Sequence, residues 1–268
     1  MPSKGLVTLL SDFGQQDVYV GVMKGVIAQV NPALVVVDLA HQIPPQNIAA
    51  ASFSLLSAYA HFPQGTVHIA VVDPGVGSQR RAIAIQTAAG FLVGPDNGIF
   101  TGVLSQSPAI AAVEATNSQY WYTPQPSSTF HGRDIFAAIG AHLASGVALE
   151  KLGSAIAPED LIQLPTPTWQ QTDSGISGTI QEIDHFGNLI TTIPGTCVTG
   201  KSWFVEICGL SVPGGQTYSD SLPGKLIGLV GSHGWIEIAV NAGNAKAYLQ
   251  QNQGDPVRVV VCSNMPLD

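Results

Sequence analysis

Apolar residues in the first half of the chain fall alternately into short continuous runs and into longer stretches with helical spacing. The runs have strand length and the spaced stretches have helix length. Residues 6–10 predict a first strand, 18–30 a helix, and 34–39, nearly all β-branched or leucine, a second buried strand. Asn47 can cap a helix running through 49–60. Residues 67–72, 82–86 and 91–93 predict further strands, and 134–143 a helix ending before Gly146. Strand and helix in alternation predict the α/β class, with a mainly parallel sheet covered on both faces.

Near residue 164 the pattern changes. Pro165 and Pro167 sit among polar residues and predict a stiff linker over 165–172. Beyond it come strand-like pieces at 178–183, 189–193, 203–207, 235–240 and 257–261, separated by glycine, asparagine and proline, with no good helix between them. The chain therefore divides into an N-terminal α/β domain over 1–164 and a smaller, antiparallel β-barrel domain over 173–268. There is no internal repeat and no low-complexity tract.

Charge removes several classes of partner. A net charge of −8, with lysines and arginines few and scattered apart from Arg80 and Arg81, argues against binding nucleic acid or an anionic membrane through a basic patch. The longest apolar runs, such as 33–40, are far shorter than a membrane span, and the first five residues do not read as a signal peptide. A cytoplasmic protein is expected. Only 10% of residues are charged, so either an oligomer hides surface or many short loops join buried strands. Cys197, Cys208 and Cys262 form no CxxC pair, and an odd, dispersed set suits reduced, buried thiols.

Ligands of open α/β sheets bind at the carboxyl ends of strands. Four segments with ionisable or amide groups among glycines should lie on that rim: 11–17, carrying Asp12 and Asp17; 73–81, carrying Asp73, Arg80 and Arg81; 94–98, carrying Asp96 and Asn97; and 130–134, carrying His131. Singly each has an ordinary reading as a turn, a helix cap or a structural histidine. Together they point to one site. The chain has no Walker loop, no complete GxGxxG, no GxSxG elbow and no HExxH, so neither a nucleotide phosphate site, an acyl-enzyme nor a metal is expected.

The segments Leu10-Ser11-Asp12-Phe13-Gly14, Val72-Asp73-Pro74-Gly75-Val76-Gly77 with Arg80, Phe130-His131-Gly132-Arg133-Asp134 and Phe186-Gly187-Asn188 occur in an order that resembles the adenosine-forming S-adenosyl-L-methionine (SAM) hydrolases. These SAM hydroxide adenosyltransferases are related to the fluorinases and chlorinases. The resemblance spans essentially the whole chain. It implies a homotrimer whose active site lies at the subunit interface, and hydrolysis of SAM to adenosine and L-methionine without a cofactor. It places the catalytic Asp, Arg and His at Asp73, Arg80 and His131; the halogenating relatives carry tyrosine at the first position, which favours water as nucleophile. It also implies that Asp12 grips the ribose diol, Asp17 and Asp184 meet the methionine end, Asn188 reads adenine beside Phe186, and Ser232 holds a further ligand position. The chain departs from the family in reading Phe136-Ala137-Ala138, where many relatives place a proline after the alanine, and in placing His233 where the halogenases have arginine. A SAM-dependent halogenase and a non-catalytic SAM or adenosine sensor are the alternatives. Two groups, Asp73 and His131, could accept the proton of the attacking water.

Overall fold

The computed structural model describes residues 5–165 and 168–262. The first four residues, and Thr166 and Pro167 of the expected linker, lie outside them. The chain separates into two compact units, Met1–Pro165 and Thr166–Asp268.

In chain order the first unit contains β1 (Leu6–Ser11), α1 (Tyr19–Val30), β2 (Val35–Ala40), α2 (Ile48–Tyr59), β3 (Thr66–Val71), β4 (Ala82–Gln86), β5 (Gly90–Pro95), α3 (Thr101–Gln106), β6 (Ala111–Glu114), α4 (Ala137–Ala144) and β7 (Ser154–Ile156). Among the described residues these strands form one sheet in the order β2-β1-β3-β5-β4-β6-β7. The first four are mutually parallel, while β4, β6 and β7 pair antiparallel. Side chains alternate across the sheet, so Val7, Leu9, Val67 and Ile69 pack under α1 and α4, and Leu10, Ala70 and Val72 pack under α2 and α3. The α/β class with helices on both faces is thus what the pattern called for.

Several local expectations change. The second strand is not buried: β2 is the sheet's edge, with β1 as its neighbour, and Val35 is exposed. Its β-branched run gives strand propensity but carries no information on how many neighbours the strand acquires. Asn47 does cap α2, its side chain accepting from Ala50 N–H at 3.0 Å. The helix expected from 134 begins earlier and differently. Residues Gly132–Phe136 wind as a π-helical turn before α4 takes over at Ala137. Such wide turns recur at functional sites, and this one starts directly after His131.

The second unit contains β8 (Gln170–Thr172), β9 (Gly175–Ile183), β10 (Leu189–Pro194), β11 (Trp203–Ile207), β12 (Leu210–Pro213), β13 (Leu226–Val230), β14 (Trp235–Val240), α5 (Ala245–Leu249) and β15 (Pro256–Val261). The sheet path is β12-β11-β15-β9-β10-β14-β13, antiparallel throughout, with β8 added beside β9. Its two ends meet where Gly214 bridges Gly228 and Gly215 N–H donates to Gly228 O at 2.8 Å, nearly closing a barrel. Residues 170–172, expected as linker, are strand. The short helix α5 also corrects the expectation of none; Asn244 caps it by accepting from Ala247 N–H at 2.7 Å.

Candidate active site

Three of the four rim segments meet. A cavity of about 280 Å³ at the carboxyl ends of β1 and β3 is walled by Asp12, Phe13, Gln46, Val71, Asp73, Pro74, Val76, Thr129, Phe130, His131 and Gly132. That volume is near the lower end for small-molecule pockets, about 300–1,000 Å³. A larger, shallower depression of about 520 Å³ on the barrel is lined by none of the candidate residues. The charged pair in its wall, Arg258 and Glu206, is engaged with itself.

Asp73 and Arg80 are brought together by the fold of the loop between β3 and β4. Val76 N–H donates to Asp73 O at 3.2 Å, Ser78 N–H to Gly75 O at 3.1 Å, and Arg80 N–H to the Ser78 hydroxyl at 3.2 Å. The reversal needs Gly77 at φ 77°, where a Cβ would fall 2.2 Å from Ser128 O. Gly77→Ala combines left-handed strain with that collision. It is expected to destabilise the protein by about 1–3 kcal/mol and to depress turnover more than the lost stability explains, as read by paired melting and kinetic measurements.

Arg80 then acts as the hub. Its Nε donates to both Asp73 carboxylate oxygens at 3.0 Å, and its Nη2 donates to Asp73 Oδ2 and, at 2.8 Å, to His131 Nδ1. Its guanidinium also lies over the buried Phe136 ring, 5.2 Å from the centroid. A guanidinium has donors only, so Nδ1 of His131 is an acceptor and the neutral ring carries its proton on Nε2. Burial, and then the Arg80 charge, push the His131 pKa below its usual 6.5 against the opposing pull of Asp73 and Asp134.

The loop carrying His131 is anchored from below. Asp134, fully buried, accepts from Arg133 Nε at 2.6 Å, Arg133 Nη2 at 2.8 Å and Ser127 N–H at 2.8 Å. Burial alone would raise the Asp134 pKa, but these donors outweigh it and hold the carboxyl below its ordinary value. Arg81 likewise pairs with Asp96. Asp96-Asn97, the fourth rim segment, is structural: Asp96 accepts from Ile162 N–H at 2.9 Å, and Asn97 Nδ2 donates to Val72 O at 2.8 Å, bracing the residue before Asp73.

Asp12 follows β1 and accepts from Gln46 N–H through Oδ2 at 2.8 Å. Gln46 was not singled out from the sequence. It has a φ of 65° without being glycine, and no residue type announces a backbone N–H used in this way. Asp17 is exposed two residues before α1 and lies outside the cavity wall.

The remaining candidates lie in the second unit. Asp184 accepts from Asn188 N–H at 2.8 Å and from Asn188 Nδ2 at 2.9 Å, while the backbone carbonyl of the buried Asn188 accepts from Asp184 N–H at 3.1 Å, so its side-chain Oδ1 is the atom outside this exchange. Phe186, in the same turn, is 70% exposed. Ser232 is exposed in the turn between β13 and β14. Behind that turn Glu237, buried, accepts from Tyr218 OH at 2.6 Å and from His233 Nε2 at 3.1 Å, while Trp235 N–H donates to His233 Nδ1 at 3.1 Å. The contact with Glu237, aided by burial, pushes the Tyr218 pKa up to about 12. His233 thus braces its own turn through both ring nitrogens.

Polar side chains converging on the carboxyl rim of parallel strands are how open α/β enzymes hold small ligands, and the first unit is of that class. Residues 7–153 match the SAM hydroxide adenosyltransferase N-terminal domain and residues 178–258 the corresponding C-terminal domain; the chain belongs to this family. It is 40% identical over 264 residues to the (R)-S-adenosyl-L-methionine hydrolase of Thermus thermophilus, covering 95% of this chain and 99% of that one. It is 36% identical to the enzyme of the same name from Salinispora arenicola, covering 97% and 99%. A crystal structure of an uncharacterized conserved protein from Thermotoga maritima superposes with a TM-score of 0.90 at 33% identity, covering 95% and 99%. Fluorinases are more distant, at 26–29% identity.

Proposed function

We propose that the protein hydrolyses SAM to adenosine and L-methionine by attack of water at the ribose C5′. What carries this reading is the unbroken chain Asp73–Arg80–His131 at a cavity that Asp12 also enters. Close similarity to proteins named (R)-SAM hydrolases supports it, and the lower identity to fluorinases favours water over halide.

The sulfonium already makes methionine a good leaving group. As the water oxygen bonds to C5′, the C5′–S electron pair passes to sulfur, leaving a neutral thioether, and the water loses a proton. Asp73 is the acceptor of that proton and passes it to solvent, because His131 Nδ1 is occupied by Arg80 and its Nε2 carries hydrogen. His131 donates that Nε2–H to the water oxygen and aims its lone pair. Alignment of this kind lowers barriers by roughly 7–11 kcal/mol in well-oriented cases. Asp12, an acceptor-only group when ionised, spans the ribose diol. Asn188 reads adenine with Phe186 beside it, Asp17 and Asp184 take the methionine end, and Ser232 holds a further ligand position. No resident metal or cofactor is needed for this step.

Neutral His131 is the working form, so acid should switch the enzyme off. Activity persists through pH 6.5 and falls below it as the ring takes a proton against Arg80. The acid limb of kcat/KM is expected at a midpoint under 6.5, moving up toward 6.5 in Arg80→Gln, whose charge no longer opposes protonation. A limb unchanged by that substitution would remove Arg80 from the titration.

The working assembly in this reading is a cytoplasmic homotrimer with the site at the subunit interface, supported by the low charged fraction and the half-exposed edge strand β2. Among the described residues no helix is long and apolar enough to cross a membrane. Light scattering should give three times 27.9 kDa. Chromatography of products formed with excess chloride tests the reaction: adenosine and methionine are expected, whereas 5′-chloro-5′-deoxyadenosine would make the protein a halogenase, and no product would overturn the enzymatic reading.

A further inference from the structure

A second polar chain runs behind the cavity, from α1 to the loop that bears Asp12. Lys24 Nζ donates to Asp38 Oδ2 at 2.6 Å; Asp38 Oδ1 lies 3.1 Å from His41 Nε2; and His41 Nδ1 is 2.8 Å from the Ser11 hydroxyl. The Asp38–His41 approach is close but lacks the angle of a good hydrogen bond. Burial would raise the Asp38 pKa, but Lys24 and His41 overcome it and hold the carboxyl below its ordinary value. Ser11 and His41 are 2% and 4% exposed. The order serine, histidine, aspartate is that of an acyl-transfer triad, yet the Ser11 hydroxyl is buried and outside the cavity wall, so no substrate reaches it.

What this chain grips is backbone. Phe13 N–H donates to the Ser11 hydroxyl at 3.3 Å, and Gly14 N–H donates to His41 O at 2.7 Å. His41 therefore holds the loop 11–14 from both its ring and its carbonyl, on either side of Asp12. Five residues further on, Gln46 N–H fixes Asp12 Oδ2. Both ends of the segment 41–46 thus converge on the same carboxylate.

We propose that His41 is a positioning residue that sets the aim of the Asp12 carboxylate and through it the affinity for the ribose of the substrate. The inference rests on the reading of Asp12 as the diol acceptor. Ordered this way, the loop meets the ligand with its carboxylate already placed, and the cost of arranging it is met on folding rather than on binding.

The test uses the full-length protein with two readouts, steady-state kinetics on SAM and calorimetric binding of adenosine, which needs no turnover. His41→Ala is expected to raise KM and the adenosine Kd about tenfold, the scale of one lost buried hydrogen bond, with kcat changed less than about threefold. His41→Asn, whose amide oxygen can still accept from Ser11, should recover most of that affinity. In an Asp12→Asn background, His41→Ala should add less than about twofold, because both changes act through one carboxylate. Fully additive effects in this cycle, or a fall in kcat at unchanged KM, overturn the proposal. If His41→Ala does not fold, Ser11→Ala cuts the same link and is read in the same cycle. A wild-type protein that binds adenosine without hydrolysing SAM defeats the reaction proposed above but leaves the binding cycle to decide on His41. One that binds neither defeats both.

Discussion

Asp73→Asn is expected to lower kcat by about 10²- to 10⁴-fold, the range that a well-placed proton acceptor contributes, while leaving the fold and substrate affinity close to native. Asparagine keeps the shape of the side chain and one oxygen for Arg80, so the loop between β3 and β4 need not move. What it lacks is the basic, charged oxygen. Arg80 still donates to His131 Nδ1, and His131 keeps its tautomer, so water can be held but not relieved of its proton. Turnover measured beside a melting curve separates this from simple unfolding. A variant within threefold of wild type in kcat would take Asp73 out of the proton transfer.

The second large effect concerns stability and lies away from the site. His68, on β3, is 2% exposed, with Nδ1 2.8 Å from the Thr8 hydroxyl and its ring against Tyr59 and Phe62 at 5.1 and 5.5 Å between centroids. No carboxylate is among these neighbours, and burial pushes its pKa down to about 4. The unfolded chain takes up the proton near pH 6.5, the folded chain only near 4. Between those values the unfolded state binds more protons, so stability is complete above 6.5, declines as pH falls through the window and levels off below about 4. At about 1.36 kcal/mol per unit, the loss over the whole window is roughly 3 kcal/mol. Denaturant unfolding at pH 7 and pH 5 should show a steeper decline in wild type than in His68→Gln, which cannot titrate. Equal declines would mean that His68 is not held neutral.

The sequence carried the central strands well because β1 and β3, buried on both faces, read as short, mostly apolar runs whose length and β-branched content suit a strand rather than a helix. It carried direction less well. The expectation of a mainly parallel sheet named no direction for individual strands, yet the antiparallel pairing of β4 with β5 was marked in the chain: only residues 87–89 separate the two strands, too few for the crossover a parallel pair requires. The helices α3 and α5, of six and five residues, are too short to display a period. Of the rim segments, Asp96-Asn97 has the same residue types as its functional-looking neighbours and differs only in partners, Arg81 and the Val72 carbonyl, which composition does not encode. Asp73 and Arg80 are visible as residues, but their contact depends on the left-handed turn at Gly77. Gln46 and His41 escaped because they act through the backbone, the one through its N–H and the other partly through its carbonyl.

The measurement that bears most directly on the whole is isotopic. The protein is incubated with SAM in ¹⁸O-water and the products are resolved by mass. Attack of solvent at C5′ puts one heavy oxygen in the 5′-hydroxyl of adenosine and none in methionine. Adenosine formed without label, or label appearing in any other product, would contradict it.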